Sequence, residues 1–231
     1  MPYDIIGDIH GQAGKLEALL TKLGYAPRGG GWQHPSRIAI FLGDFIDRGP
    51  EQLRTLSIVR PMVEAGAALA VLGNHELNAI AWHTPDDKTP GDYLRPHSGP
   101  LGASNRKQHQ RFLEEVGDDA LLHADLVGWF KTLPLWLDLD GIRVVHACWH
   151  APFMDWLAPS LTERRTFPDA LLPAATCKPE SLEKNYAKPS IFAATEALTK
   201  GIEIPLPAGH SFLDKDGITR WNVRIRWWDQ G

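Results

Sequence analysis

Arg37-Ile38-Ala39-Ile40-Phe41-Leu42-Gly43-Asp44-Phe45-Ile46-Asp47-Arg48-Gly49 decides how this chain is read. The apolar run from Arg37 to Leu42 reads as a strand buried on both faces, and it breaks at a glycine followed by two carboxylates and a guanidinium. Pro50 follows, where it suits the first turn of a helix. The same plan occurs on either side. Tyr3 to Gly7 reads as a short strand before Gly7-Asp8-Ile9-His10-Gly11, and Ala67 to Leu72 as a buried strand before Gly73-Asn74-His75-Glu76. Between the first two, Lys15 to Leu23 carries Leu16, Leu19, Leu20 and Leu23 at helical spacing until Gly24 stops it. Alternating strands and helices place each block at the carboxyl end of its strand, where open α/β sheets gather ligands. Carboxylate, imidazole and amide groups delivered together suit divalent cations and point to metal-assisted hydrolysis of a phosphate ester.

The chain has 231 residues, 43% of them hydrophobic, enough for a full core in one large domain spanning 1–231. A net charge of −4 gives no electrostatic case for wholesale nucleic-acid or membrane binding. Cys148 and Cys177 are too few for a disulfide framework and read as reduced thiols of a cytoplasmic protein. No basic leader precedes an apolar stretch at the amino end, and no run reaches membrane-spanning length.

Beyond the third block, prolines, glycines and scattered His and Arg predict an irregular insertion over about 81–111, with a helix around His109 to Val116. Leu135 to Leu139, the Asp140-Gly141 turn and Ile142 to His146 read as a hairpin. A second irregular insertion over about 151–189, a helix around Ile191 to Leu198 and a half-buried final strand, Ile218 to Trp228, complete the chain.

Asp8-Ile9-His10, Asp44 to Arg48, Gly73 to Glu76 and the later His146-Ala147 resemble the successive signatures of the calcineurin-like metallophosphoesterases. The similarity is to the phosphoprotein-phosphatase branch, which holds serine/threonine phosphatases and bacterial diadenosine tetraphosphatases. It implies an α/β (α+β) fold, a four-layer αββα sandwich with a dinuclear metal cleft at the strand ends. It also implies two divalent cations, Mn²⁺ first, with Fe, Zn, Ni or Mg also accommodated. Asp8 and His10 would hold the first metal, Asp44 would bridge, and Asn74 and His146 would hold the second. Water activated between the metals would attack phosphorus. His75 would protonate the leaving alkoxide, oriented by Asp47, and Arg48 would fork onto the phosphate oxygens.

Taken singly, Asp or Asn beside glycine is an ordinary turn residue; the joint pattern outweighs that reading. Glu76 is read as a cap or support for its helix, without a catalytic role. His34, His83, His97, His109 and His123 read as solvated, His150 as structural, and Cys148 as no nucleophile. The one Gly-His pair, Gly209-His210, lies in a loop-like context where the family has a late metal ligand. Two alternatives stay open: His210 completes the second site, or the chain stops before that element, which is preferred. Leu72 stands where protein phosphatases of this branch commonly have arginine, and an apolar residue there resembles the tetraphosphatases instead. Trp82, His83, Tyr93, Arg95, Arg106 and Lys107 offer stacking and phosphate contacts, although a solvated loop is the preferred reading.

The leading expectation is a serine/threonine-phosphatase-like hydrolase of phosphomonoesters or phosphoanhydrides. The alternative is a bis(5'-nucleosyl)-tetraphosphatase, and a reading of another class is a binding module with little turnover. The expected partner is a phosphoprotein, a nucleotide or a small phosphoester, with no membrane and no strong nucleic-acid signal.

Overall fold

The computed structural model describes residues 2–178, 189–214, 217 and 219–229. From the amino end run β1 (Tyr3–Ile6), α1 (Ala13–Leu23), a small hairpin of β2 (Ala26–Arg28) and β3 (Gly31–Gln33), β4 (Ile38–Phe41), α2 (Gln52–Glu64), β5 (Ala68–Ala70) and α3 (Asn74–His83). There follow α4 (Gly99–Val116), α5 (Ala120–Phe130), a hairpin of β6 (Trp136–Leu139) and β7 (Ile142–Val145), α6 (Ala151–Leu157), α7 (Leu172–Thr176) and α8 (Ile191–Lys200). The last elements are β8 (Glu203–Pro205), β9 (Phe212–Leu213), β10 (Thr219–Arg220) and β11 (Asn222–Arg224).

Strands β1, β4 and β5 form a parallel sheet in that order, with Ile5 beside Ile40 and Ile40 beside Leu69. Period-two alternation shares its side chains between two cores. Ala39, Phe41, Ala68 and Ala70 point into the main core with Leu16, Leu20, Val59 and Met62 of α1 and α2. Ile40 and Val71 point the other way and are sealed by Val144, Leu137 and Leu139 of the β6–β7 hairpin. Burial on both faces explains why β4 reads as a continuous apolar run rather than an alternating one. Phe41, Phe45, Phe112 and Phe130 are fully enclosed, and truncating any of them to alanine removes roughly 3–5 kcal/mol of stability.

Helix ends follow local chemistry. Gly24, at φ 91°, ends α1 by donating its N–H to the carbonyls of Leu20 and Thr21. The first turn of α2 is capped from a distance: the N–H groups of Gln52 and Leu53 donate to the carboxylate of Glu115 on α4, at 2.6 and 2.9 Å. A carboxylate there suits the positive end of the helix and locks α4 against α2. Pro50 therefore lies just outside the helix, not in its first turn.

The later chain is more ordered than its composition suggests. Within the expected insertion 81–111, α3 continues to His83 and α4 begins at Gly99, ten residues ahead of the expected helix, so irregular backbone is confined to 84–98. Gly102, Asn105, His109, Phe112 and Val116 bury one stripe of α4 at spacings of three and four. The second insertion contains α6 and α7, and its stretch 179–188 lies outside the described residues. The expected helix at 191–198 is α8. Ile218, the expected start of the final strand, also lies outside the described residues; downstream, β11 pairs only with β8, and all of its residues are exposed. Among the described residues β11 is thus exposed rather than half-buried, and Ile225 just after it packs partly against the main core. No helix is long and apolar enough to cross a membrane among the described residues.

Candidate metal centre and active site

The three sequence blocks converge where β1, β4 and β5 end, and His146 arrives from the end of β7. Of the five non-glycine residues with positive φ among those described, four lie here: His10, Asp44, Asp47 and Arg48, at 48°, 54°, 69° and 69°. Such backbone is costly and persists only where surrounding contacts over-determine it. Glycines permit the close approach of the loops. A Cβ on Gly43 would overlap the backbone of Gly73, and one on Gly73 would overlap the backbone and carboxylate of Asp44.

Asp44, 3% exposed, lies at the centre. Its Oδ2 is 3.7 Å from His10 Nε2, and its Oδ1 is 3.5 Å from His146 Nε2. Asp8 Oδ2 is also 3.7 Å from His10 Nε2, and Asn74 Oδ1 is 3.2 Å from His146 Nε2. Both imidazoles are oriented from behind: His10 Nδ1 faces the carbonyl of Ile46 at 2.9 Å, and His146 Nδ1 that of Leu42 at 2.5 Å. These contacts turn each Nε2 toward the place a cation would take. At His146 burial opposes protonation, but the hydrogen bond and charge of Asp44 raise the pKa to about 9, so that binding a cation would displace a proton. Two groups of donors could each hold a metal: His10, Asp44 and His75, and Asp8, Asp44 and His146. His10 Nε2 decides the fit, being buried without a hydrogen-bond partner and facing two carboxylates. Burial disfavours charge on Asp44, but the hydrogen bond and charge of His146 hold its carboxyl at about 2. Burial likewise lowers the pKa of His10, favouring the neutral form a metal requires.

His75 stands beside this group with Nδ1 2.6 Å from Asp47 Oδ2 and Nε2 3.9 Å from Asp44 Oδ2. Burial opposes its protonation, yet the hydrogen bond to Asp47 prevails and raises its pKa. Asp47 is held below the usual carboxylate range: burial pushes it up, but His109 and His75 outweigh that. Arg48 is exposed at the mouth of the cleft beside His10.

Three residues of this machinery escaped the sequence reading. His109, expected in solvent, is 2% exposed, and its Nδ1 lies 2.8 Å from Asp47 Oδ1. Its place in the buried stripe of α4 was the available signal. Glu76 neither caps nor merely supports α3. Fully buried, it accepts the N–H groups of Asp44 and Phe45, each at 2.8 Å, and so shapes the loop that carries Asp44. Burial and the Asp44 charge push its carboxyl up to about 7, against the N–H donors. Gln52 accepts the N–H of Asp47 at 2.6 Å and donates to the carbonyl of Gly49 at 2.5 Å, fixing the other end of that loop.

Other candidates separate from the site. His210 sits exposed on a turn, bonded to the carbonyl of Ala208, and belongs to neither donor group. His150 caps α6 by accepting the Phe153 N–H at 3.2 Å. Trp82 offers no surface for a base, because His97 stacks on it at 3.6 Å and Arg106 lies 5.3 Å from its ring; Tyr93 covers the other side of His97 at 3.9 Å. Arg95 is engaged by Asn78 and Gln108. Trp82, His97 and Tyr93, in the segment expected to be a solvated loop, stack on one another.

The sequence model of the calcineurin-like phosphoesterase family matches residues 1–170, which contain every donor described above. The chain belongs to this family. The family uses divalent metals. It is 43% identical over 148 residues to the asymmetrical bis(5'-nucleosyl)-tetraphosphatase of Oceanobacillus iheyensis, covering 64% of this chain and 55% of that one. The symmetrical bis(5'-nucleosyl)-tetraphosphatase of Ralstonia nicotianae is 31% identical over 151 residues, covering 64% of this chain and 42% of the relative. The chain therefore spans about half the length of the curated relatives it matches. Among solved structures, a metallophosphoesterase from Sphaerobacter thermophilus aligns with a TM-score of 0.40 at 20% identity, over 64% of this chain and 47% of that one.

Proposed function

We propose that this phosphoesterase hydrolyses a phosphoanhydride of the bis(5'-nucleosyl)-tetraphosphate type, using two divalent cations, Mn²⁺ first. The observation that carries the reading is Asp44, whose two oxygens face His10 Nε2 at 3.7 Å and His146 Nε2 at 3.5 Å, as a carboxylate shared by two cations must. Asp8 and Asp44, both 3.7 Å from His10 Nε2, would hold one cation with His10, and Asn74 and His146 the other; Asp8 also lies within reach of Asp44 and His146. When bound, the cations supply a nucleophile at neutral pH and neutralise charge developing on phosphorus. The protein residues do the rest. Asp47 orients His75 and favours its protonated form, so that Nε2 can deliver a proton to the leaving oxygen. Arg48, at the cleft mouth, would clamp the phosphate through its planar pair of donors.

The sequence reading put a serine/threonine-phosphatase-like activity first and the tetraphosphatase second. The named relatives and Leu72 support the reverse order. A parallel sheet with α1 and α2 on one face and the β6–β7 hairpin on the other supports the four-layer αββα reading. The test is a Mn²⁺-supplemented hydrolysis panel of diadenosine tetraphosphate, a phosphoserine peptide and p-nitrophenyl phosphate, with chelator controls. The expected result is highest kcat/KM on diadenosine tetraphosphate and loss of activity on chelation. Preference for the phosphopeptide would restore the protein-phosphatase reading, and no turnover of any substrate would favour the binding module.

A further inference from the structure

The cleft beside Asp44 encloses about 840 Å³, far more than one phosphate needs and within the range that accommodates a nucleotide-sized ligand. Its far wall is the carboxyl-terminal segment. Trp227 donates its indole N–H to the carbonyl of Ala147 at 2.7 Å, next to His146, and the Ile225 N–H donates to Ile202 at 2.9 Å, so this wall is tied to the site. The charges lining the cleft can be paired off. Arg220 is bound to Asp214, Arg224 lies 3.8 Å from Glu203, and Lys200 is paired with Glu196. Arg48 and Arg226 have no ion-pair partner among the described residues and face the same cleft. Beside Arg226, the indole of Trp228 is 65% exposed, and its one ring contact among the described residues is a T-shaped one with Trp227, 5.8 Å between centroids.

We infer that Arg226 and Trp228 form a second arm of this cleft, which binds the polyphosphate chain beyond the attacked phosphorus and stacks on the nucleoside base. The inference rests on the phosphoanhydride reading above and names the residues that select for it. A guanidinium suits a chain of phosphates through paired donors, and an exposed indole suits any base. A single phosphate held at the metal site would leave both groups unused.

The test is calorimetric binding of a methylene-bridged, non-hydrolysable diadenosine tetraphosphate to the Mn²⁺-supplemented full chain. Arg226→Ala is expected to raise Kd at least tenfold and Trp228→Ala about fivefold. Arg226→Lys should recover part of the loss, since it keeps the charge without the fork. Arg143→Ala, which does not line the cleft and packs on Trp149, serves as the surface-arginine control and should not change Kd. For inorganic phosphate, the Arg226→Ala effect should be at least tenfold smaller than for the dinucleotide. Equal losses for both ligands, an unchanged Kd in Arg226→Ala, or no binding of the analogue by the wild type would each overturn the arm. Hydrolysis measured in parallel separates the two claims: binding that depends on Arg226 without turnover refutes the enzymatic reading alone, whereas turnover indifferent to Arg226 refutes the arm alone.

Discussion

His109 Nδ1 lies 2.8 Å from Asp47 Oδ1, across 62 residues of sequence and with both side chains 2% exposed. The other oxygen of Asp47 holds His75, so a histidine in the middle of α4 fixes the carboxylate that orients the proposed proton donor. Chemistry in the β4–α2 loop thereby depends on the packing of α4.

His109→Phe should fill the same space but release one oxygen of Asp47. We expect kcat to fall roughly tenfold, with metal content retained, because such outer contacts typically tune activity by one to two orders of magnitude. His109→Gln should recover part of the loss. Steady-state kinetics alongside metal analysis checks this, and loss of metal in His109→Phe would assign the residue to the metal centre instead.

His75→Asn should lower kcat by roughly 10²–10⁴-fold on a poor leaving group while most metal stays bound. p-Nitrophenyl phosphate, whose leaving group needs little protonation, should suffer much less. Equal losses on the two substrates would remove His75 from the role of acid.

Glu76→Gln should act on the loop before it acts on chemistry. The amide offers one acceptor where the carboxylate takes the N–H groups of Asp44 and Phe45, and each donor left bare inside the protein costs roughly 1–3 kcal/mol. A fall of several degrees in Tm is expected, together with weaker metal retention. Calorimetric melting with and without Mn²⁺ measures both.

His123 gives a pH dependence of stability away from the metal site. Burial first, and then the charge of neighbouring His83, lowers its pKa in the folded state to about 4, against roughly 6.5 unfolded. The unfolded chain therefore binds the proton first as pH falls, so this contribution is complete above roughly pH 6.5 and is lost progressively towards about pH 4. His123→Phe preserves ring packing on Phe112 and removes the titration. Its Tm should fall less steeply than that of the wild type between those pH values; parallel curves would refute the assignment.

Cys148 should be inert. It is fully buried, and burial raises its thiol pKa to about 11, so little thiolate exists near neutrality. Iodoacetamide at pH 8 should leave activity intact over hours, and Cys148→Ala should retain turnover. Rapid inactivation traced to this residue by mass spectrometry would contradict the proposed chemistry.

The sequence alone marked the strands and the loops at their ends, and its family resemblance proposed Asp8, His10, Asp44, Asn74 and His146 as the donor set. The strands and loops rest on local signals: apolar runs that fill a two-faced strand, and glycines that permit the left-handed turns and close loop contacts. Glu76, Gln52 and His109 were decided only by tertiary structure. Each acts on a partner fixed by chain folding, and a buried carboxylate, amide or imidazole looks the same in sequence as a solvated one. The stack of Trp82, His97 and Tyr93 and the carboxyl-terminal wall of the cleft were equally hidden. Proline, glycine and arginine there suggest loop or edge strand, whereas their surroundings depend on which distant surface the segment meets. Local chemistry thus marked strands, turns and candidate donors, and long-range packing specified how those atoms are oriented and what lies across from them.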